Sequence, residues 1–244
     1  MIKKHIPNSI TSLNIISGVL GVYLALYGEL KLAVIAIFCG AIFDFCDGLV
    51  ARALKAYSDI GKELDSLADM ITFGFAPGAL LFGILQISME GKILTPAEVL
   101  ASSNSLYYLS ALLIPVFSGL RLAKFNVDTR QTTSFIGMPT PANAIFWSSL
   151  ALLRVGSNGG EWYQLIFEPW VLVILSIVTS FLLVSEIPMF SFKFKNLSFK
   201  DNKLRFFFVL AVVALISLFG ILGISFSMIL YVVLSVLQSL GCKK

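Results

Sequence analysis

Four aspartates pose the chemical question in this chain. Asp44, Asp47, Asp65 and Asp69 lie in the stretch DFCDGLVARALKAYSDIGKELDSLAD, flanked by long apolar runs. Carboxylates are expensive in such surroundings and mark function by default. On a helix, Asp44, Asp47, Gly48 and Ala51 recur at spacings of three and four and share one face. Asp65 and Asp69, four apart, share a face of the next helix, and the short connection predicts antiparallel neighbours with converging carboxylates. Two ionised carboxylates about 5 Å apart repel by roughly 3 kcal/mol at an effective dielectric of 20. Four together call for cations, and oxygen-only ligands favour hard divalent ions, Mg²⁺, Mn²⁺ or Ca²⁺, over zinc. Gly48 and Ala51 leave the helix face bare beside the acids, so a flat ring or a diphosphate can approach the backbone. Gly61 does the same where the chain turns into the second helix. Arg52 offers a planar donor fork to a phosphate or pins an aspartate. The set suits a substrate carrying two linked phosphates, held on metal ions by the four aspartates, one of which acts as a base. Asp59 and Glu63, at helix ends, read as ordinary solvated acids.

The elements that must hold these residues are membrane helices. Of 244 residues, 57% are hydrophobic and 13% charged, with mean hydropathy +0.90. That excludes an ordinary soluble domain. Apolar runs of spanning length fall near 9–27, 32–54, 63–86, 105–123, 141–155, 168–188, 204–221 and 223–240. The fifth is short and the last two are parted only around Gly220 and Gly223, so seven or eight spans are expected. The basic N-terminus has no small-residue cleavage site after a short apolar core, which predicts a retained first span. If the N-terminus is cytoplasmic and the spans alternate, 15 of the 18 basic residues face the cytoplasm, leaving Lys31, Lys92 and Arg154 outside. The positive-inside rule selects that orientation. It also reads the net charge of +4 as a topology signal rather than a nucleic-acid footprint. Trp162, Tyr163 and Trp170 fall where an outer aromatic belt belongs. Cys39, Cys46 and Cys242 have no metal-type spacing, and the first two read as packing. A single all-α polytopic domain over 1–244 is expected. Residues 1–145 form its catalytic helices and acceptor loop; 146–244 add C-terminal spans that, beyond Arg205, offer only serines and Gln238 as polar groups.

Eight positions are fixed together in the pattern D-x₂-D-G-x₂-A-R-x₈-G-x₃-D-x₃-D, and a chance match is on the order of 10⁻¹⁰ per start. The pattern resembles, without a departure, the signature of the CDP-alcohol phosphotransferase family. The resemblance implies a helical membrane protein, usually a homodimer, whose first spans enclose the site at the cytoplasmic side. It implies that Asp44, Asp47 and Asp65 ligate metal, and that Asp69 is both a ligand of the metal pair and the catalytic base. It further implies that Gly48, Ala51 and Gly61 line the CDP site, with Arg52 on a phosphate or holding the site together. The reaction implied moves a phosphatidyl-type group from a CDP-linked lipid to an alcohol and releases CMP. The expected cofactor is a pair of Mg²⁺ or Mn²⁺ ions, with Ca²⁺ able to occupy the site.

Two further stretches bear on the alcohol. In IPNSITSLNIISG, Asn8, Thr11 and Asn14 recur at threes along one side; Asn8 and Thr11 are candidates for the nucleotide side of the site, against the alternative of hydrogen-bonding glue between helices. GLRLAKFNVDTRQTTSFIGMPTPANA, residues 119–144, resembles the loop after the fourth span in bacterial and archaeal phosphatidylserine synthases. DSLADMITFGFAPG and the first stretch resemble the same group. The implied substrates are CDP-diacylglycerol and L-serine. Serine brings a carboxylate, so its site needs a cation of its own. Arg121 is the first candidate, for the serine carboxylate or the lipid phosphate; Lys124 and Arg130 are candidates that a topology-setting basic loop explains equally well. Gly137, Pro139 and Pro141 would stiffen a loop covering the acceptor. Two rival readings remain: the same chemistry with glycerol 3-phosphate or inositol phosphate, and a metal-ion transporter. The second half has no counterpart of the acidic cluster, which disfavours the transporter.

Overall fold

The computed structural model describes residues 5–128, 135–156, 161–190 and 202–241. It is a helical bundle. We number the helices α1 (His5–Leu26), α2 (Leu30–Leu54), α3 (Asp59–Glu90), α4 (Pro96–Ala101), α5 (Ser105–Val127), α6 (Thr140–Gly156), α7 (Glu161–Ile166), α8 (Pro169–Val184), α9 (Lys203–Phe219) and α10 (Ile221–Gly241). A two-residue antiparallel pairing joins β1 (Phe135–Ile136) to β2 (Pro188–Met189). Each of the eight expected apolar runs coincides with a helix. Among the described residues, α1, α2, α3, α5 and α10 are long and apolar enough to cross a membrane. Helices α6, α8 and α9 have 17, 16 and 17 residues. Arg130 lies outside the described residues, as do Lys3, Lys4, Lys193, Lys195, Lys200, Lys243 and Lys244 of the orientation argument and the side chain of Trp162.

Helix α3 is the axis of the bundle. It buries 72% of its apolar window, against 33% for α1 and 28% for α2. The outer helices turn small and polar residues inward. On α1 the buried residues are Pro7, Thr11, Asn14, Ser17, Gly18, Gly21 and Ala25. Ile16, Leu20 and Tyr23 face outward. Membrane helices associate through such small-residue contacts, because lipid gives large apolar side chains no reason to hide. The three helices meet closely at Thr72. A Cβ on Gly40 would stand 2.6 Å from the Thr72 methyl, so only glycine admits α2 there. Thr72 donates to the Asn14 side-chain oxygen at 2.7 Å and also reaches the Asn14 carbonyl. Asn14 is therefore glue between α1 and α3.

Two local devices set the entry and course of α3. Helix α2 ends on Lys55 in the left-handed conformation, and Ser58 caps α3 by accepting from the Gly61 amide at 3.0 Å. The helix then widens into a π turn over Met70–Phe75, immediately after Asp69 and two residues before Pro77. Proline cannot donate to the carbonyl four residues back, so the hydrogen-bond ladder has to change near Pro77. Such π turns recur at functional sites.

The main core gathers α2, α3, α5, α6 and α8 around Leu80, Leu81, Ile84, Tyr108 and Trp147. A second cluster joins Met138, Leu183, Met189 and Phe190 to Phe208 on α9 and Tyr231 on α10. Ser225 on α10 shares a 2.6 Å hydrogen bond with Ser149 on α6. The C-terminal helices thus pack against α6 and the segment after α8, and their inventory of polar groups has to include Tyr231, whose hydroxyl donates to the Phe190 carbonyl at 3.0 Å.

Candidate active site

The N-terminal half of α1, the C-terminal half of α2 and the start of α3 converge at one end of the bundle. There the two acidic faces meet as expected. Ligand oxygens of Asp44, Asp47 and Asp65 lie within 4.8 Å of one another. Asp47 is buried and the other two half-buried. No described lysine or arginine forms an ion pair with any of them. Thr11 donates to Asp47 Oδ2 at 2.6 Å, which fixes that carboxylate and leaves its other oxygen for a ligand. The same hydroxyl also lies 3.1 Å from the Pro7 carbonyl.

Asp69 stands one turn further along α3, outside that triad. Its carboxyl interacts with that of Asp44, and the Arg121 guanidinium attracts it electrostatically. Asp69 Oδ1 is buried with no hydrogen-bond partner. The donor set fits a divalent cation. Three clustered carboxylates without a protein counter-charge, beside a fourth with an orphaned oxygen, are hard oxygen ligands wanting positive charge.

A cavity of about 800 Å³ opens beside the triad, lined by Asn8, Thr11, Asp47, Gly48, Ala51, Gly61 and Asp65 among others. The loop and first turn of α3, Tyr57 to Lys62, supply its other wall. Gly48 has nothing near its missing side chain except the Arg52 guanidinium nitrogens at 3.8 and 3.9 Å. Arg52 is exposed, with its fork lying over that bare backbone. A Cβ on Gly61 would stand 3.0 Å from both Asn8 Oδ1 and Ser58 Oγ, so the glycine keeps the Asn8 amide within reach of the cavity. All six residues proposed for the nucleotide side therefore gather here: five line the cavity, and Arg52 lies at its edge.

The acceptor candidates separate. Arg121 is 7% exposed, stacks on Phe125 with its guanidinium carbon 4.9 Å from the ring centre, and keeps Nε without a partner. Lys124 pairs with Glu186 at 2.5 Å and donates to the Val184 carbonyl at 3.2 Å, fastening α5 to the end of α8. Sequence reasoning missed Thr72, the π turn, and the buried pair Thr140 and Asn143 on the first turn of α6. The last two had a visible signal, as polar residues opening an apolar run.

A model of the CDP-alcohol phosphatidyltransferase family matches residues 4–237. A Mycobacterium leprae protein named CDP-diacylglycerol–serine O-phosphatidyltransferase is 36% identical over 191 residues, covering 75% of this chain and 57% of its own length. A Bacillus subtilis protein of the same name is 34% identical over 190 residues, covering 78% of this chain and 92% of its own. One from Methanocaldococcus jannaschii, also so named, is 33% identical over 182 residues, covering 75% and 72%. This chain thus spans little more than half of the mycobacterial relative and nearly all of the bacillar one. With its eight signature positions gathered on the second and third helices, five of them lining one cavity, the chain belongs to the CDP-alcohol phosphatidyltransferase family.

Proposed function

We propose that this protein transfers the phosphatidyl group of CDP-diacylglycerol to L-serine, giving phosphatidylserine and CMP. The observation that carries the reading is the convergence of Asp44, Asp47 and Asp65 beside a bare-walled cavity, with Asp69 one turn behind. The choice of serine is supported by the names of the relatives and by a single buried arginine near Asp69. Asp44, Asp47, Asp65 and Asp69 would hold two Mg²⁺ or Mn²⁺ ions, which would neutralise the pyrophosphate as CMP leaves. Gly48 and Ala51 let the nucleotide lie against α2, while Asn8 and Gly61 close the opposite wall. Arg52 donates to a phosphate at the cavity edge. Thr11 keeps Asp47 oriented. Asp69 accepts the proton of the serine hydroxyl as that oxygen bonds to the phosphatidyl phosphorus and the bond to the CMP oxygen breaks. No covalent enzyme intermediate is needed.

The acyl chains stay in lipid while the head group enters from the cytoplasmic side. Orientation rests on charge: Arg52, Lys55, Lys62, Arg121 and Lys124 belong to the aspartate end, and Lys31, Lys92 and Arg154 to the other. We place eight spans in the cell membrane, with α6, α8 and α9 crossing as short helices, and two copies assembling as a homodimer. Purified protein incubated with CDP-diacylglycerol, Mn²⁺ or Mg²⁺ and a panel of alcohols tests the reaction through CMP release. Release with serine is expected. Release with glycerol 3-phosphate or inositol phosphate but not serine would refute the substrate assignment, and metal flux in liposomes without CMP would refute the reaction.

A further inference from the structure

The nucleotide cavity accounts for one side of the aspartates. It is not lined by Asp69, Ser118, Arg121, Thr140 or Asn143, which carry six buried side-chain atoms without a hydrogen-bond partner: Asp69 Oδ1, Ser118 Oγ, Arg121 Nε, Thr140 Oγ1 and both amide atoms of Asn143. They belong to α3, α5 and α6, and the π turn of α3 packs against both other helices. Ser118 comes so close to that turn that a Cβ on Gly74 would stand 2.9 Å from its own. Ser118 and Arg121 lie three apart on α5, and Thr140 and Asn143 three apart on α6, so each pair shares a helix face.

The first turn of α6 is pinned against the end of α8. The Gly137 amide donates to the Ile187 carbonyl and the Met138 amide to the Leu182 carbonyl, both at 2.9 Å. Gly137 has φ +75, and an added Cβ would collide with the Leu183 carbonyl, so this approach is open to glycine alone. Met138 then packs in the cluster that contains Tyr231 and touches Phe117, and Tyr231 neighbours Arg121 electrostatically.

Asn143 is the decisive residue. Buried polar groups are normally paired, and exceptions call for an explanation. Asn14 and Gln86, the other fully buried amides with an unpaired nitrogen, each use their oxygen, on Thr72 and on the Leu94 amide. Among the described residues, Asn143 is the one fully buried amide with neither end used. A serine or threonine hydroxyl on a helix can turn back to a carbonyl three or four residues earlier. An asparagine with both ends unused has no such retreat.

Resting on the reaction proposed above, we infer that Asn143 and Thr140 of α6 and Arg121 of α5, whose helices both pack on the π turn of α3, form the subsite that binds the amino-acid acceptor and discriminates its zwitterion. The guanidinium and the Asn143 nitrogen donate to the carboxylate. The Asn143 and Thr140 oxygens accept from the ammonium. The hydroxyl is left to point at Asp69. One cation among neutral donors and acceptors matches a ligand of no net charge. A phosphorylated acceptor would bring two negative charges and need a second cation, and Lys124 is engaged with Glu186.

The test is steady-state CMP release from Asn143→Ala, Thr140→Val and Thr140→Ser, varying serine and CDP-diacylglycerol separately, together with melting of each variant with and without serine. Asn143→Ala and Thr140→Val should raise the serine KM by about tenfold or more. The CDP-diacylglycerol KM should stay within about twofold, and Thr140→Ser should restore the wild-type value. Serine should raise the melting temperature of wild type but not of Asn143→Ala. Thr140→Val keeps its shape, so misfolding of the asparagine variant would not spare the proposal. Serine KM values unchanged in both variants, or both substrates' KM values rising together, would overturn the subsite while leaving the reaction standing. A wild type that releases no CMP with serine would instead overturn the reaction.

Discussion

The aspartate cluster and the opposite end of the bundle use charged residues in opposite ways. At the end where α3 stops, charges are matched by neighbours. Lys92 pairs with Glu98 at 2.9 Å, and Glu98 completes a reciprocal cap with Thr95. Glu90 accepts from Asn104 and Tyr108, and Arg154 donates to Ser88, Tyr163 and the Ile87 carbonyl. At the other end, three carboxylates crowd within 4.8 Å and no described ion pair relieves them. Folding alone would favour the first arrangement everywhere, because clustered like charges out of water are costly. The contrast separates charges that serve the fold from charges whose partner is a ligand. It makes removal of charge harmful to stability at one end and to chemistry at the other.

The largest effect should come from Asp44→Asn or Asp65→Asn, which should lower CMP release by about a thousandfold. Because each removes repulsion, the chelated variants should melt no lower than chelated wild type. A clear loss of stability would mean these acids are structural. Second, Mg²⁺ or Mn²⁺ should raise the melting temperature of wild type, since a ligand bound only by the native state stabilises it. That shift should shrink in either variant, and its absence in wild type would break the comparison. Third, Thr11→Val removes the 2.6 Å hydrogen bond that orients Asp47 and should reduce turnover by about tenfold, with a small change in melting. Smallest of all, Lys92→Met should leave activity unchanged. Glu98 is held down to about 2, chiefly by the hydrogen bond from Lys92. Its folded value lies below the ordinary 4.5, so the pair's contribution is present above that pH and is lost only as pH falls toward 2. A pH–melting profile in which Lys92→Met and wild type differ at pH 7 but converge in acid would show this.

Much of this was legible in the sequence for physical reasons. A bilayer demands apolar runs of spanning length, so all eight runs emerged as helices even where α6, α8 and α9 are short. The aspartate end was legible because eight chemically distinctive residues lie within one helix–loop–helix, where spacing alone predicts which faces meet. What spacing does not carry is pairing across the chain. Glu186 finds Lys124 62 residues away, and Asn14 finds Thr72 at a separation of 58. The π turn leaves no trace in hydropathy, since a run of apolar residues reads alike whether its hydrogen bonds step by four or by five. Tyr231 is absent from the polar groups expected of the last helices because only folding puts its hydroxyl on the Phe190 carbonyl.

The central claim is that the carboxylates at the aspartate end perform serine phosphatidyl transfer, with Asp69 taking the proton. Serine-dependent CMP release by purified Asp69→Asn, with its metal-induced melting shift measured in parallel, tests that most directly. The account predicts a folded protein that still answers to metal and releases CMP at less than about one-hundredth of the wild-type rate. Substantial release by the folded variant, or a trapped phosphatidyl-enzyme adduct, would contradict it.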